Sequence, residues 1–223
     1  FDYDATPGRL FSFDSLQNLF SNIPEQSDET FISIDVARQG KDQTVIVIWK
    51  WLSVVEIITE EKSRLDTLTT FVKQLAQQYD VPPSRIVVDE NGVGGGLIDN
   101  LRCQGFINNA SPLQPRNPNL SQTRNFEHLK TQCYWELAKL VNENKVAIAC
   151  KEIYRLKIIK KDDIKAKLWR SPDFSDALMM RMLYEVRKWS IVKTTQEQKE
   201  EVYDELLDFS EKEETIEDSL HPY

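Results

Sequence analysis

The pattern of apolar residues along the chain predicts five β-strands and several amphipathic helices. In chain order the predicted strands span residues 31–35, 44–50, 54–61, 85–89 and 146–149. The first two are joined so closely that we expect an antiparallel hairpin. A predicted helix separates the third strand from the fourth and stops before Pro82 and Pro83. This order favours a parallel pairing of the fourth strand, so the pattern predicts an α/β domain with a mixed sheet.

Two further helices are predicted in the second half of the chain. The first spans residues 125–144, with Ser121 or Thr123 as a candidate cap, and its apolar stripe consists of Phe126, Leu129, Cys133, Leu137 and Leu140. The second begins with Ser171 as the N-cap and Pro172 at the first helical position. This second helix is apolar on nearly every side, so we expect it to be buried against the sheet.

Three aspartates occupy positions where a negative charge needs a partner. Asp35 and Asp89 each end a predicted strand, and Asp176 lies deep in the apolar helix. Burying such a charge is costly unless it meets a cation or several hydrogen-bond donors. Taken singly, Asp35 could cap a turn and Asp173 could cap the helix. Neither role accounts for Asp176.

If the first and fourth strands are neighbours, these aspartates meet at one edge of the sheet. Three acids without matching basic residues would repel one another, and divalent cations between them would remove that repulsion. Oxygen ligands favour Mg²⁺ or Mn²⁺, and two such ions roughly 3.5–4 Å apart serve phosphodiester cleavage. The pattern therefore predicts a two-metal site.

The segment 91–96, Asn-Gly-Val-Gly-Gly-Gly, follows directly on Asp89 and Glu90. It could belong to a nucleotide-binding module, but its spacing matches neither the dinucleotide fingerprint nor a phosphate-binding loop. We favour a strand-to-helix turn that keeps Asp89 accessible, with backbone amides that could face a phosphate.

Charge is distributed unevenly along the chain. The net charge of −8 combines −5 in residues 1–30, +6 in residues 31–193 and −9 in residues 194–223. Residues 151–170, which we call the basic segment, carry a net charge of +5. A basic interval between acidic ends permits a phosphate-binding surface, and a solvated charged face is the alternative.

The three cysteines form no C-x-x-C pair, which favours reduced structural thiols and argues against a zinc site.

Three segments together resemble a known family. They are FISIDVARQGKDQTVIVIW, RIVVDENGVGGG and KDDIKAKLWRSPDFSDALMM, and in this order they are similar to the C-terminal nuclease domain of phage terminase large subunits. The resemblance implies a ribonuclease-H-like fold, with a five-stranded mixed sheet and helices on both faces, here with acidic N- and C-terminal extensions. It also implies a metal-dependent endonuclease that cuts concatemeric double-stranded DNA during packaging.

The resemblance also implies roles for single residues. Asp35, Asp89 and Asp176 would be catalytic and would bind two Mg²⁺ or Mn²⁺ ions, and Asp173 occupies an auxiliary metal-binding position. The expected DNA contacts come from basic side chains, namely Arg38, Lys157, Lys160, Lys161, Lys165 and Lys167. The implied partners are the terminase ATPase domain, whose phosphate loop does not occur in this chain, the portal and the small terminase subunit. The implied location is the host cell cytoplasm.

We expect three parts along the chain: a linker or arm at 1–30, the nuclease domain at 31–193, and an acidic helix and tail at 194–223. The arm either packs on another component or leads into its own domain. The stretch from Tyr154 to Lys160 is shorter than the β-hairpin of relatives, so this hairpin is trimmed or residues are missing. Because the chain begins with Phe1, we expect an excised domain or a processed chain. No apolar run reaches the length of a membrane span, so we expect no membrane partner.

Other functions fit the same residues. A structure-specific resolvase or an exonuclease of the same fold would prefer junctions or ends to plain duplex. A non-catalytic DNA-docking module of a packaging motor would bind DNA without cutting it. The acidic tail either competes with DNA or docks another packaging component, and the apolar residues Val202, Leu206 and Phe209 favour docking.

Overall fold

The computed structural model of the chain describes residues 10–37, 43–60, 64–90, 94–114, 126–150 and 172–188. Its helices and strands are, in chain order, α1 (Phe13–Asn18), β1 (Thr30–Asp35), β2 (Thr44–Lys50), β3 (Ser53–Glu60), α2 (Leu65–Gln78), a 3₁₀ turn (Pro83–Arg85), β4 (Ile86–Asp89), α3 (Gly94–Leu101), β5 (Gln104–Phe106), α4 (Leu129–Asn142), β6 (Ala147–Ile148) and α5 (Pro172–Met180). A turn at Arg181 follows α5, and residues 182–188 are helical again.

Strand β1 lies inside a mixed sheet with the strand order β5-β4-β1-β2-β3-β6. It pairs antiparallel with β2, which confirms the predicted hairpin, and β2 pairs antiparallel with β3. On its other side β1 pairs in parallel with β4, so that Ile34 lies beside Val88. Strand β2 is buried at every position except Lys50, as expected for a strand covered on both faces.

The described part of the sheet has six strands, so the prediction of five strands is wrong. The missed strand is β5, which runs parallel to β4 at the edge of the sheet. It has three residues, and Gly105 is the central one. The pairing continues beyond the strand through the Glu90 amide, which donates to the Phe106 carbonyl at 3.0 Å. A segment this short has no alternation of apolar and polar residues by which a strand could be predicted.

Helices cover both faces of the sheet. One face packs against α2 and α3, and the buried residues there are Ile32, Ile34, Ile46, Ile48, Ile58, Ile86 and Val88 from the strands with Leu68, Val72, Leu75, Leu97 and Leu101 from the helices. Alternate strand residues point to the other face, where α5 packs on β1, β2 and β4 and contacts α4. On that face the Trp49 indole donates to Ser33 Oγ at 3.0 Å. The α/β class and the helices on both faces are thus confirmed.

Helix α4 begins at Leu129, later than the predicted start at residue 125. The reason lies in the loop after β5, because its carbonyls accept from the first amides of the helix. The Leu129 amide donates to the Ala110 carbonyl at 2.8 Å, and the Lys130 amide donates to the Asn108 carbonyl at 3.4 Å. The predicted side-chain caps lie outside the described residues.

The described part of the N-terminal extension packs on the domain through α1. Leu16 and Leu19 are buried, and the Ser12 amide donates to Asn142 Oδ1 at 2.9 Å. These contacts join the described part of the extension to the end of α4.

Contacts between residues divide the chain into two units. The larger comprises Phe1–Pro112 and Phe126–Glu185, and the smaller comprises Leu113–Asn125 and Val186–Tyr223. Arg38, the basic segment and the acidic tail lie outside the described residues, so their roles stay predictions. None of the helices in the described ranges has both the length and the apolarity needed to cross a bilayer.

Candidate active site

The parallel pairing of β1 and β4 places two aspartates side by side. Ile34 lies beside Val88 in the register, and the next residues of the two strands are Asp35 and Asp89. Because side chains alternate along a strand, both aspartates lie on the face opposite Ile34 and Val88. That is the face on which α5 packs.

Helix α5 brings two more carboxylates to this edge of the sheet. Asp173 and Asp176 lie one turn apart on the helix and share one face. The pKa of Asp35 is raised from 3.8 to about 8, first by burial and then by the charges of Asp176, Asp89 and Asp173. The structure therefore brings the other three predicted aspartates close enough to Asp35 for their charges to raise its pKa. Their catalytic and metal-binding roles stay predictions.

A buried arginine holds the far end of α5. Arg181 follows the helix directly, and its side chain is fully buried. Its guanidinium lies 3.7 Å from the centre of the Phe31 ring in β1, and its Nη2 donates to the Trp51 carbonyl at 3.2 Å. Its Nη1 donates to Glu185 Oε1 at 2.9 Å. These contacts anchor the residue that follows α5 against β1 and against the turn after β2.

Two residues of α4 contact Asp176, and the sequence analysis missed both. Lys130 Nζ donates to Asp176 Oδ2 at 2.9 Å, and the Tyr134 hydroxyl donates to Oδ1 at 2.6 Å. Burial and the hydrogen bond to Asp176 raise the pKa of Tyr134, so this hydroxyl keeps its proton at neutral pH. The available signal was their spacing, because residues four apart share one face of a helix.

The loop after β5 supplies a further contact to the cluster. Asn108 Nδ2 lies 3.4 Å from Asp89 Oδ2, and the Asn108 carbonyl accepts from the first turn of α4. One residue thus connects the aspartate of β4 with the helix that contacts Asp176. The sequence analysis missed Asn108 because it missed the short strand that precedes it.

Strand β4 ends at Asp89 and is followed by helix α3, so residues 94–96 of the glycine-rich segment, which were predicted to belong to the turn, lie in the helix. Helix α3 begins at Gly94, and residues 91–93 of the turn lie outside the described residues. Gly94 lies so close to the Asp89 carbonyl that a Cβ atom at position 94 would overlap it. The absence of a side chain at Gly94 therefore allows α3 to start directly behind the carboxylate of β4.

The fold has counterparts among solved structures, although no family model and no curated protein matches the sequence. A point mutant of the gp2c domain of the large terminase subunit from bacteriophage Sf6, with calcium, superposes with a TM-score of 0.57 at 16% identity, covering 78% of this chain and 98% of that chain. The nuclease domain of gp2 of Sf6 superposes with a TM-score of 0.56 at 16% identity, covering 78% and 97%. The chain has the fold of phage terminase nuclease domains. The large terminase nuclease of thermophilic phage G20c, with zinc, gives a TM-score of 0.48 at 16% identity, covering 78% and 96%.

The donor set of this aspartate cluster suits a hard divalent cation. It consists of carboxylate oxygens, which Mg²⁺ and Mn²⁺ prefer. The pKa of Asp35 is raised first by burial and then by the charges of Asp176, Asp89 and Asp173, which the charge of Lys130 opposes. Within the ranges that the structure describes, no three His, Cys, Asp or Glu side chains converge tightly enough to hold an ion as they stand. The Asp176 carboxylate instead contacts Lys130 and Tyr134.

We expect the metal-free protein to lose stability as the pH rises from about 4 to about 8, and Asp35→Asn to remove this loss. Asp35 has a raised pKa in the folded state, so the folded protein keeps a proton that the unfolded chain releases. Its stabilising contribution is complete below the unfolded pKa and is lost as the pH passes through the folded pKa. At pH 8 the variant should be more stable by on the order of a few kcal/mol. Urea unfolding in EDTA across this pH range measures the difference.

Asp80→Asn is the matched control for this experiment. Asp80 lies in an exposed turn, and its carbonyl accepts from Thr30 Oγ1 at the start of β1, whereas Asp35 ends that strand. We expect this variant to keep the wild-type pH dependence. If Asp35→Asn also kept it, the raised pKa would not be a property of the folded protein.

Proposed function

We propose that this chain is the nuclease domain of a viral DNA-packaging terminase and cuts concatemeric double-stranded DNA with little sequence preference. The observation that carries the proposal is the convergence of Asp35, Asp89 and Asp176 from β1, β4 and α5, with Asp173 beside them. The likeness in fold to the Sf6 nuclease domains, solved with calcium and with manganese, supports it. The proposed cofactors are two Mg²⁺ or Mn²⁺ ions. The proposed partners are DNA, the terminase ATPase domain, the portal and the small subunit, in the host cell cytoplasm.

We assign a proposed role to each residue of this site. Asp35, Asp89 and Asp176 would hold the cations, and Asp35 would gain most from them because burial and three acidic neighbours act on it. Asn108 and Tyr134 would orient the carboxylates of Asp89 and Asp176. When bound, the ions supply an activated water and stabilise the charge on the leaving 3′ oxygen.

Cleavage of supercoiled plasmid DNA tests the proposal. We expect nicked and linear products with Mg²⁺ or Mn²⁺, none with EDTA, and no dependence on plasmid sequence. DNA binding without cleavage in either metal would instead indicate the docking module. A strong preference for four-way junctions or for free ends over intact duplex would indicate a resolvase or an exonuclease.

We expect the basic segment to contact phosphates and not bases. Changing Lys160 and Lys161 together to glutamine should weaken binding equally for all duplex sequences. The slope of log K against log salt should fall by roughly one unit per lost contact, because each phosphate contact releases a counterion. Fluorescence anisotropy at several salt concentrations, on two unrelated duplexes, measures both effects.

Lys50 and Lys145 provide a charge-matched control for this pair. Lys50 pairs with Asp28 at 3.2 Å, and Lys145 pairs with Glu143 at 2.6 Å. Changing both to glutamine removes the same number of positive charges, and we expect no change in the salt slope. An unchanged slope for the Lys160 and Lys161 variant would show that the basic segment is a solvated face.

A further inference from the structure

Lys130 stands at a position that helix electrostatics disfavour. It is the second residue of α4, and the amino-terminal end of a helix carries partial positive charge, which repels cations. The carboxylate of Asp176 offsets this repulsion between the helix end and the ammonium, because Lys130 Nζ donates to Asp176 Oδ2 at 2.9 Å. Lys139 shows the opposite arrangement, since it lies in the last turn of the same helix and pairs with Glu136 at 3.3 Å.

The charge of Lys130 acts on Asp35 as well as on its hydrogen-bond partner Asp176. Among the causes that act on the pKa of Asp35, Lys130 opposes the three acidic neighbours. The side chain also lies partly over the Tyr134 ring, with Nζ 6.0 Å from its centre. The Tyr134 hydroxyl and the Lys130 ammonium thus occupy one oxygen each of the Asp176 carboxylate.

We propose that Lys130 is an internal counter-ion that offsets part of the negative charge at Asp176 and Asp35 in the metal-free protein and competes with a divalent cation for Asp176. The inference rests on the proposed metal-dependent function and deepens it. A cation bound to Asp176 Oδ2 would either displace the ammonium, which breaks the ion pair, or share the oxygen with it, which brings two positive charges close together. Either outcome would cost binding free energy. Lys130 therefore lowers the affinity for metal and stabilises the domain without it. Tyr134 carries no charge and only orients the same carboxylate.

Titration calorimetry with Mn²⁺ on the whole chain tests this competition. We expect Lys130→Met, which keeps the apolar stem of the side chain, to bind Mn²⁺ about fivefold more tightly than wild type, the scale of a partly exposed ion pair. Lys130→Arg keeps the charge and should bind Mn²⁺ as wild type does. In EDTA the melting temperature of Lys130→Met should be lower than that of wild type, and added Mn²⁺ should raise it by more. Lys130→Gln provides a second neutral variant should Lys130→Met fold poorly.

Lys139→Met is the matched control, because Lys139 has nearly the same side-chain exposure as Lys130, 38% against 36%. We expect its Mn²⁺ affinity to equal that of wild type. Equal or weaker Mn²⁺ binding by the neutral Lys130 variants, with wild type binding normally, would overturn the competition and leave the proposed function standing. Failure of wild type and of all Lys130 variants to bind Mn²⁺ would overturn both. Tight binding by the neutral variants with weak binding by wild type would support both.

Discussion

Changing Asp35, Asp89 or Asp176 to asparagine is expected to lower DNA cleavage by more than about a hundredfold while the domain stays folded. Each change removes a carboxylate charge that a divalent cation needs and keeps the size of the side chain. Changes in the partners that orient metal ligands cost about 10- to 100-fold, so the loss of a ligand should cost more. Plasmid cleavage in Mg²⁺ measures the rate, and circular dichroism checks the fold.

Variants of two other aspartates provide comparisons for the loss of cleavage. Asp173 lies one turn before Asp176 on α5 and acts on Asp35 less than Asp176 and Asp89 do, so Asp173→Asn should cause a smaller loss. Asp80→Asn, in its exposed turn, should cause none. Wild-type cleavage by the variants of all three proposed ligands would end the two-metal proposal.

The strands that carry the site could be predicted because their signals are local and strong. Strand β2 is an unbroken apolar run that ends at Lys50, and it is buried as such a run should be. Strand β1 alternates between the two faces, and its last residue is an acid on the side where α5 packs. A carboxylate at the end of a buried strand is costly unless the fold supplies partners. This free-energy cost identifies Asp35 and Asp89 as candidate site residues from the sequence alone.

The remaining parts of the site depend on contacts between segments that are distant in sequence. Lys130 and Asp176 are 46 residues apart, and no local pattern distinguishes this lysine from one on a solvated helix face. The start of α4 follows from the carbonyls of Asn108 and Ala110, and not from a residue type at its own end. Strand β5 forms only because β4 offers it an edge to pair with. These features are consequences of tertiary packing, which propensity and periodicity do not register.

Gly94→Ala is expected to disturb both the stability and the activity of the domain. A Cβ atom at position 94 would overlap the carbonyl oxygen of Asp89, which is backbone and cannot rotate away as a side chain could. Either α3 or the end of β4 must move, so we expect a loss of about 1–3 kcal/mol or more in the free energy of unfolding. A displacement of Asp89 by about 1 Å would lower cleavage by about a hundredfold. Urea unfolding and plasmid cleavage measure the two losses on one protein sample.

The neighbouring glycine separates this steric effect from the ordinary preferences of a helix. Gly95 lies in the same first turn of α3, and a Cβ atom there would meet nothing within 4 Å. Gly95→Ala should therefore leave cleavage unchanged and stabilise the domain by up to about 1 kcal/mol, because alanine favours a helix more than glycine does. Both variants make the same chemical change one residue apart, so only the contact with the Asp89 carbonyl distinguishes them. Equal stability and equal cleavage in the two variants would show that the turn behind Asp89 is not held by this close approach.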